Sequence, residues 1–145
     1  MNYLINTNIL LRLVQTLSLH YKEAKSAVDN LLKQGITLFV TLHNISEFWN
    51  VCTRPADKNG LCFTIAQTDF ELSKIEQIFD MLPDTEEVYP NWCKLVVKHS
   101  VSGIRVHDAK IVAAMKAHNI QNLLTFNTKD FKRYTDIKTI EPKDV

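Results

Sequence analysis

The chain has 145 residues, 46% of them hydrophobic and 23% charged, with a formal net charge of +1. That length suits one domain with a sizeable core, so residues 1–145 are expected to fold as a single unit. The near-neutral balance excludes a globally basic nucleic-acid binder and leaves only a local patch for such a partner.

The three cysteines, Cys52, Cys62 and Cys93, are scattered and lack Cys-x-x-Cys spacing. A disulfide framework or a zinc site is therefore not expected, and a reducing cytosol fits best. No apolar run approaches membrane-spanning length, and Met1 leads directly into strand-like residues, not into a leader peptide. A cytoplasmic protein with no membrane contact is expected.

In chain order, residues 2–5 read as a short buried strand. Residues 20–34 carry Ala24, Ala27, Val28, Leu31 and Leu32 at helical spacing, with Gly35 as the stop. Residues 36–40 form a β-rich apolar run, and 43–53 return to a helix with Ile45, Phe48, Trp49 and Cys52 inward. Residues 55–60 are the one breaker-rich loop. Leu72, Ile75, Phe79 and Leu82 predict a long amphipathic helix over 64–80, ended by Pro83. Further helices are expected over 89–101 and 107–118, then strands over 123–126 and 137–140. Alternating strands and helices imply an α/β fold with a parallel sheet covered on both faces. Ligands in such sheets bind at the carboxyl ends of the strands.

Four separate apolar stretches end there in an acid or amide. Tyr3-Leu4-Ile5-Asn6-Thr7-Asn8 closes the first strand, and Ile45-Ser46-Glu47-Phe48-Trp49 lies in the following helix region. Val106-His107-Asp108-Ala109 opens a late helix, and Leu123 to Asp130 follows a late strand through Asn127. Taken singly, each has a plainer role. Asp108 can simply begin a helix, Asp130 can be a turn acid, Asn6-Thr7-Asn8 can cap the first helix, and His107 can be a local hydrogen-bonding residue. Glu47 is different, because an acid pressed against an apolar stripe needs a partner. Together, Glu47, Asp108 and Asp130 offer hard oxygens suited to Mg²⁺ or Mn²⁺, the ions that activate water and offset charge in phosphodiester hydrolysis.

These motifs resemble the PIN-domain family, in particular the VapC-type toxins of bacterial toxin–antitoxin pairs, over almost the whole chain. The opening Asn6-Thr7-Asn8 stands where the family's word is Asp-Thr-Asn, and Ser46-Glu47-Phe48, Val106-His107-Asp108-Ala109 and Leu124 to Phe131 match the later acidic positions. Thr53-Arg54-Pro55 with Asn59-Gly60-Leu61 is similar to a loop in one branch of these proteins.

The resemblance implies a three-layer α/β/α sandwich with a central parallel sheet and Mg²⁺- or Mn²⁺-dependent endoribonuclease activity on RNA. It also implies a cognate antitoxin and a homodimer. Residue by residue, it implies Glu47, Asp108 and Asp130 as metal ligands with Asn6 at the first position, Asn127 as a supporting ligand, and Thr7 and Asn8 as orienting groups.

Asn6 departs from the family word. An amide is neutral and offers one oxygen, so metal affinity and rate should fall. An inactivating substitution, drift to a non-cleaving module that binds RNA or an antitoxin, and a weakly working site all fit. Among the nearby cations Arg12, Arg54, Lys58, Arg105, Lys110, Lys129, Lys132 and Arg133, the expected phosphate contacts are Arg54 and Arg105, each a few residues from a site acid. A flavodoxin- or receiver-like domain is disfavoured, since Gly35, Gly60 and Gly103 stand alone and make no phosphate loop.

Overall fold

The computed structural model describes residues 1–145. Its strands are β1 (Asn2–Ile5), β2 (Thr37–Thr41), β3 (Asp80–Leu82), β4 (Asn122–Leu124) and β5 (Lys138–Ile140). Its helices are α1 (Thr7–Val14), α2 (Tyr21–Lys33), α3 (Leu42–Thr53), α4 (Ile65–Ile78), α5 (Val88–Lys98) and α6 (Val106–Ala117). Short 3-10 turns cover Ala56–Lys58, Gly103–Arg105, Thr128–Phe131 and Pro142–Asp144. All strand pairs are parallel, in the order β3-β2-β1-β4-β5.

Side chains alternate across a strand, and here both faces are buried, which is why the strands read as continuous apolar runs. Leu4 and Leu123 enter a core with Leu95, Val112 and Met115 from α5 and α6. Their neighbours Ile5 and Leu124 enter the opposite core with Ile9, Val28, Phe48 and Ile75 from α1 to α4. The result is the three-layer α/β/α sandwich expected from the motifs. The chain travels outward from β1 through β2 to β3, then returns through α5 and α6 to β4 on the other side of β1. The sheet's direction of growth therefore reverses between β1 and β4, and a crevice opens at their carboxyl ends.

Two local features follow directly from sequence. Gly35 takes φ +75, while its N–H donates to the Leu32 carbonyl and the Ile36 N–H to the Leu31 carbonyl. That left-handed closure stops α2 and is cheapest for glycine. Asn6, extended at ψ 154, caps α1 by accepting from the Thr7 N–H at 2.8 Å.

One expected element is corrected. The helix read over 64–80 and closed by Pro83 ends at Ile78, and Asp80–Leu82 form the edge strand β3. Phe79 is already extended, and Asp80 pairs with Phe39 of β2. Leu82 lies at helical spacing from Ile75, yet the two enter opposite cores, Ile75 with Phe79 on one face and Leu82 on the other. Pairing with the sheet overrides the local period, and Pro83 disfavours a helical Leu82 in any case. No helix is long and apolar enough to cross a membrane.

Candidate functional site

A cleft of about 600 Å³ opens where the chain reverses direction in the sheet, lined by Asn6, Asn8, Glu47, Arg54, His107 and Asp108 among others. Its floor is built on the Thr125 hydroxyl, which is fully buried just after β4. Thr125 Oγ1 accepts from Asn6 Nδ2 at 2.9 Å, Asn8 Nδ2 at 3.1 Å and the Asn127 N–H at 3.0 Å. Asn8 Oδ1 in turn accepts from the Phe126 N–H at 3.3 Å, and the Asn6 N–H donates to the Leu124 carbonyl at 3.0 Å. The turn after β1 and the turn after β4 are thus laced together side chain by side chain.

A second relay fixes the acid on α3. The Thr41 side chain and Asn44 close a capping box at the start of α3, with Asn44 fully buried. Asn44 Nδ2 donates to Thr7 Oγ1 at 3.2 Å, and Thr7 Oγ1 donates to Glu47 Oε2 at 2.8 Å. Thr7 therefore links the first turn of α1 to Glu47. The other oxygen, Glu47 Oε1, lies 3.3 Å from His43 Nε2, close enough for charge attraction but not aligned as a hydrogen bond. The His43 ring stacks on His107, with centroids 5.5 Å apart and planes 16° apart.

The two cleft carboxylates titrate in opposite directions. Burial works against the ionised form of Glu47, but the contacts from His43 and Thr7 and the charges of His43 and His107 outweigh it. They hold this carboxyl below the ordinary range. Burial pushes Asp108 up; Arg105 offsets part of that, while the negative charges of Asp130 and Glu47 add to it. Asp130 stands apart from the cleft lining, on the 3-10 turn Thr128–Phe131. Arg105 connects it to the site, with Nη1 2.9 Å from Asp130 Oδ1 and 3.4 Å from Asp108 Oδ2.

Of the sequence-derived candidates, Asn6, Thr7, Asn8, Glu47, Arg54, Asp108 and Asn127 line the one cleft. Asp130 and Arg105 adjoin it through their ion pair. No three His, Cys, Asp or Glu side chains are spaced, as they stand, to hold one ion. Arg54 faces the cleft from the end of α3; its Nη2 donates to the Asn59 carbonyl at 3.2 Å, and its buried Nε has no partner. A Cβ on Gly60 would fall 1.9 Å from the Arg54 carbonyl oxygen, so only glycine lets the 55–60 loop close against this arginine.

Residues that sequence reasoning missed are Thr125, Asn44 and His43. Asn44 had a signal, since Thr41-x-x-Asn44 has capping-box spacing. A neighbouring cavity of about 600 Å³ shares His43 and Ser46 with the cleft, and Val88, Tyr89 and Trp92 line its more apolar wall.

A family profile for the PIN domain matches residues 3–137, nearly the whole chain. The chain belongs to the PIN domain family. No curated protein matches it by sequence. Among solved structures it is similar to VapBC2 from Rickettsia felis bound to a promoter DNA fragment (TM-score 0.75, 18% identity, 97% of this chain and 98% of that one covered). It is also similar to VapBC-1 from nontypeable Haemophilus influenzae (TM-score 0.71, 17% identity, 99% of each chain). A third is VapC20 from Mycobacterium tuberculosis, a sarcin-ricin-loop-cleaving toxin (TM-score 0.62, 17% identity, 83% of this chain and 86% of that one). At these identities the likeness is one of fold.

Two outcomes are expected from this PIN-domain site. Thr125→Val leaves three donors facing a methyl group and should cost about 2 kcal/mol or more in urea unfolding, with Thr125→Ser close to the parent. Because the folded-state pKa of Asp108 is raised, its ionisation opposes folding, and stability is lost as pH rises through that value. Asp108→Asn should therefore raise the melting temperature of metal-free protein at neutral pH. The gain should vanish in acid, below the ordinary value of 3.8.

Proposed function

We propose that this PIN-domain chain is an endoribonuclease of the VapC toxin type, dependent on Mg²⁺ or Mn²⁺ and weakened at its first ligand position by Asn6. The observation that carries this is that Glu47 from α3 and Asp108 from α6 face one cleft beside Asn6, at the carboxyl ends of β1 and β4. Mg²⁺ is usually held by one or two carboxylates, with waters and substrate phosphate completing its shell, so the donor set fits such an ion without a full protein cage. Glu47 and Asp108 would bind it directly, Asn6 would lend an amide oxygen, Asp130 would join from the rim, and Asn127 would support through water. Such an ion supplies an activated water and offsets charge on the scissile phosphate.

The chain's own groups do the rest. Thr7 and His43 favour the ionised form of Glu47, and Asn44 fixes Thr7. Asn8 holds the Phe126 backbone and so the approach of Asn127 to the cleft. Arg54 lines the same cleft and brings a guanidinium charge to it for a phosphate of RNA. The similar solved structures include toxin–antitoxin complexes, which supports an antitoxin partner for this chain; a homodimer acting in the cytoplasm belongs to the same proposal.

One observation favours a second reading, a non-catalytic module that binds RNA or an antitoxin. Both amide atoms of Asn6 are already used, Oδ1 by Thr7 and Nδ2 by Thr125. The backbone N–H of Thr7 can only donate, which fixes the amide's orientation. An aspartate here would turn the Thr125 hydroxyl round to donate and present a second anionic oxygen.

Asn6→Asp should therefore raise Mg²⁺- or Mn²⁺-dependent RNA cleavage by about 100-fold or more, the scale of a lost metal contact. Glu47→Gln in that background should abolish it. Absence of cleavage in both parent and Asn6→Asp, on varied RNAs, would favour the binding module. Arg54→Ala should weaken salt-sensitive RNA binding without unfolding the domain, as read by filter binding and thermal melts.

A further inference from the structure

We propose that Arg105 is the resident counter-ion of this site, so that its guanidinium and a divalent cation compete for Asp108 and Asp130. The inference rests on the reading above that these acids serve a metal. Arg105 is the one basic side chain in ion-pair contact with either acid, and it bridges both through the same Nη1, at 2.9 and 3.4 Å. Glu47, the third acid, has separate partners in Thr7 and His43 and does not depend on it.

The arrangement solves a problem of charge. Asp108 is half-buried within reach of two other acids, and without a cation their repulsion would act against the fold. Arg105 supplies that cation from a 3-10 turn, Gly103–Arg105, which runs directly into α6 and so stands one turn before Asp108. The turn is held by a left-handed Gly103 at φ +60, and nothing packs where its Cβ would be. The Arg105 side chain is 47% exposed and makes no other ion pair or hydrogen bond, so it can leave without disturbing the core.

An ion that takes Asp108 and Asp130 places a second positive charge against the guanidinium that holds Asp108 Oδ2 and Asp130 Oδ1, and so works to expel it. Asp130, paired with the guanidinium, is not among the residues that line the cleft. Once displaced, the guanidinium is left at the cleft rim with its planar fork free, the geometry that suits a phosphate. Metal and RNA binding then favour one another, because the metal releases the arginine that the RNA phosphate uses.

The test is a Mn²⁺ titration of the full-length parent chain, Arg105→Gln and Arg105→Lys, read by the electron paramagnetic resonance of free Mn²⁺. Arg105→Gln removes the charge and should bind Mn²⁺ about tenfold tighter than the parent, while Arg105→Lys should stay near it. In EDTA, Arg105→Gln should melt lower than the parent, and Mn²⁺ should restore it by a larger margin. Equal or weaker Mn²⁺ binding by Arg105→Gln overturns the counter-ion role while leaving a metal site in place. Equal tightening in Arg105→Lys assigns the effect to bulk and overturns it as well. Failure of all three proteins to bind Mn²⁺ removes the metal reading and the counter-ion role together.

Discussion

The buried hydroxyl of Thr125 sets the geometry of everything around it. Two loops that leave neighbouring parallel strands would otherwise diverge, because after the Asn6 N–H to Leu124 carbonyl bond the ladder between them ends. Here Asn6, Asn8 and the Asn127 backbone all donate to one oxygen, and Asn8 returns a bond to Phe126. The crevice between β1 and β4 is therefore a rigid floor and not a gap between loops. A hydroxyl oxygen has two acceptor lone pairs, so the three donors converging on Thr125 share them. Thr7 extends the order to a third element, since its hydroxyl accepts a hydrogen bond from Asn44 and donates one to Glu47.

On that floor the balance of charge governs the chemistry. Glu47 is favoured as a carboxylate by the Thr7 hydroxyl and the neighbouring histidines, whereas Asp108 is placed where its own charge is costly. A residue set at a disadvantage in this way is a place for a bound cation, because the ion recovers the electrostatic energy that folding gave up. The arginine beside it performs part of that service in the metal-free state. Asn6 lowers the demand further, as it adds no charge to the cluster.

Much of the fold was legible because its signals were local. The apolar runs of β1 and β4 are buried on both faces, so the parallel sheet and its layers followed from them, and Gly35 marked the end of α2. Strand β3 was not legible, since three residues after a helix keep helical spacing and only pairing with β2 turns them into a strand. In the site, Glu47 stood out as an acid beside an apolar stripe, whereas Asp108 read equally well as the start of a helix. Thr125 did not, because a threonine in a strand is ordinary and its role exists only once β1 lies alongside β4. The position of Asp130 was also hidden, because it depends on a 3-10 turn and on an arginine distant in sequence.

The most direct measurement of the central idea is a crystal of the protein soaked in Mn²⁺ and examined by anomalous scattering. A peak in coordinating reach of both Glu47 and Asp108, beside Asn6 and above Thr125, is the expected result. No peak in a crystal whose cleft is open to solvent, or a peak touching neither carboxylate, would contradict it.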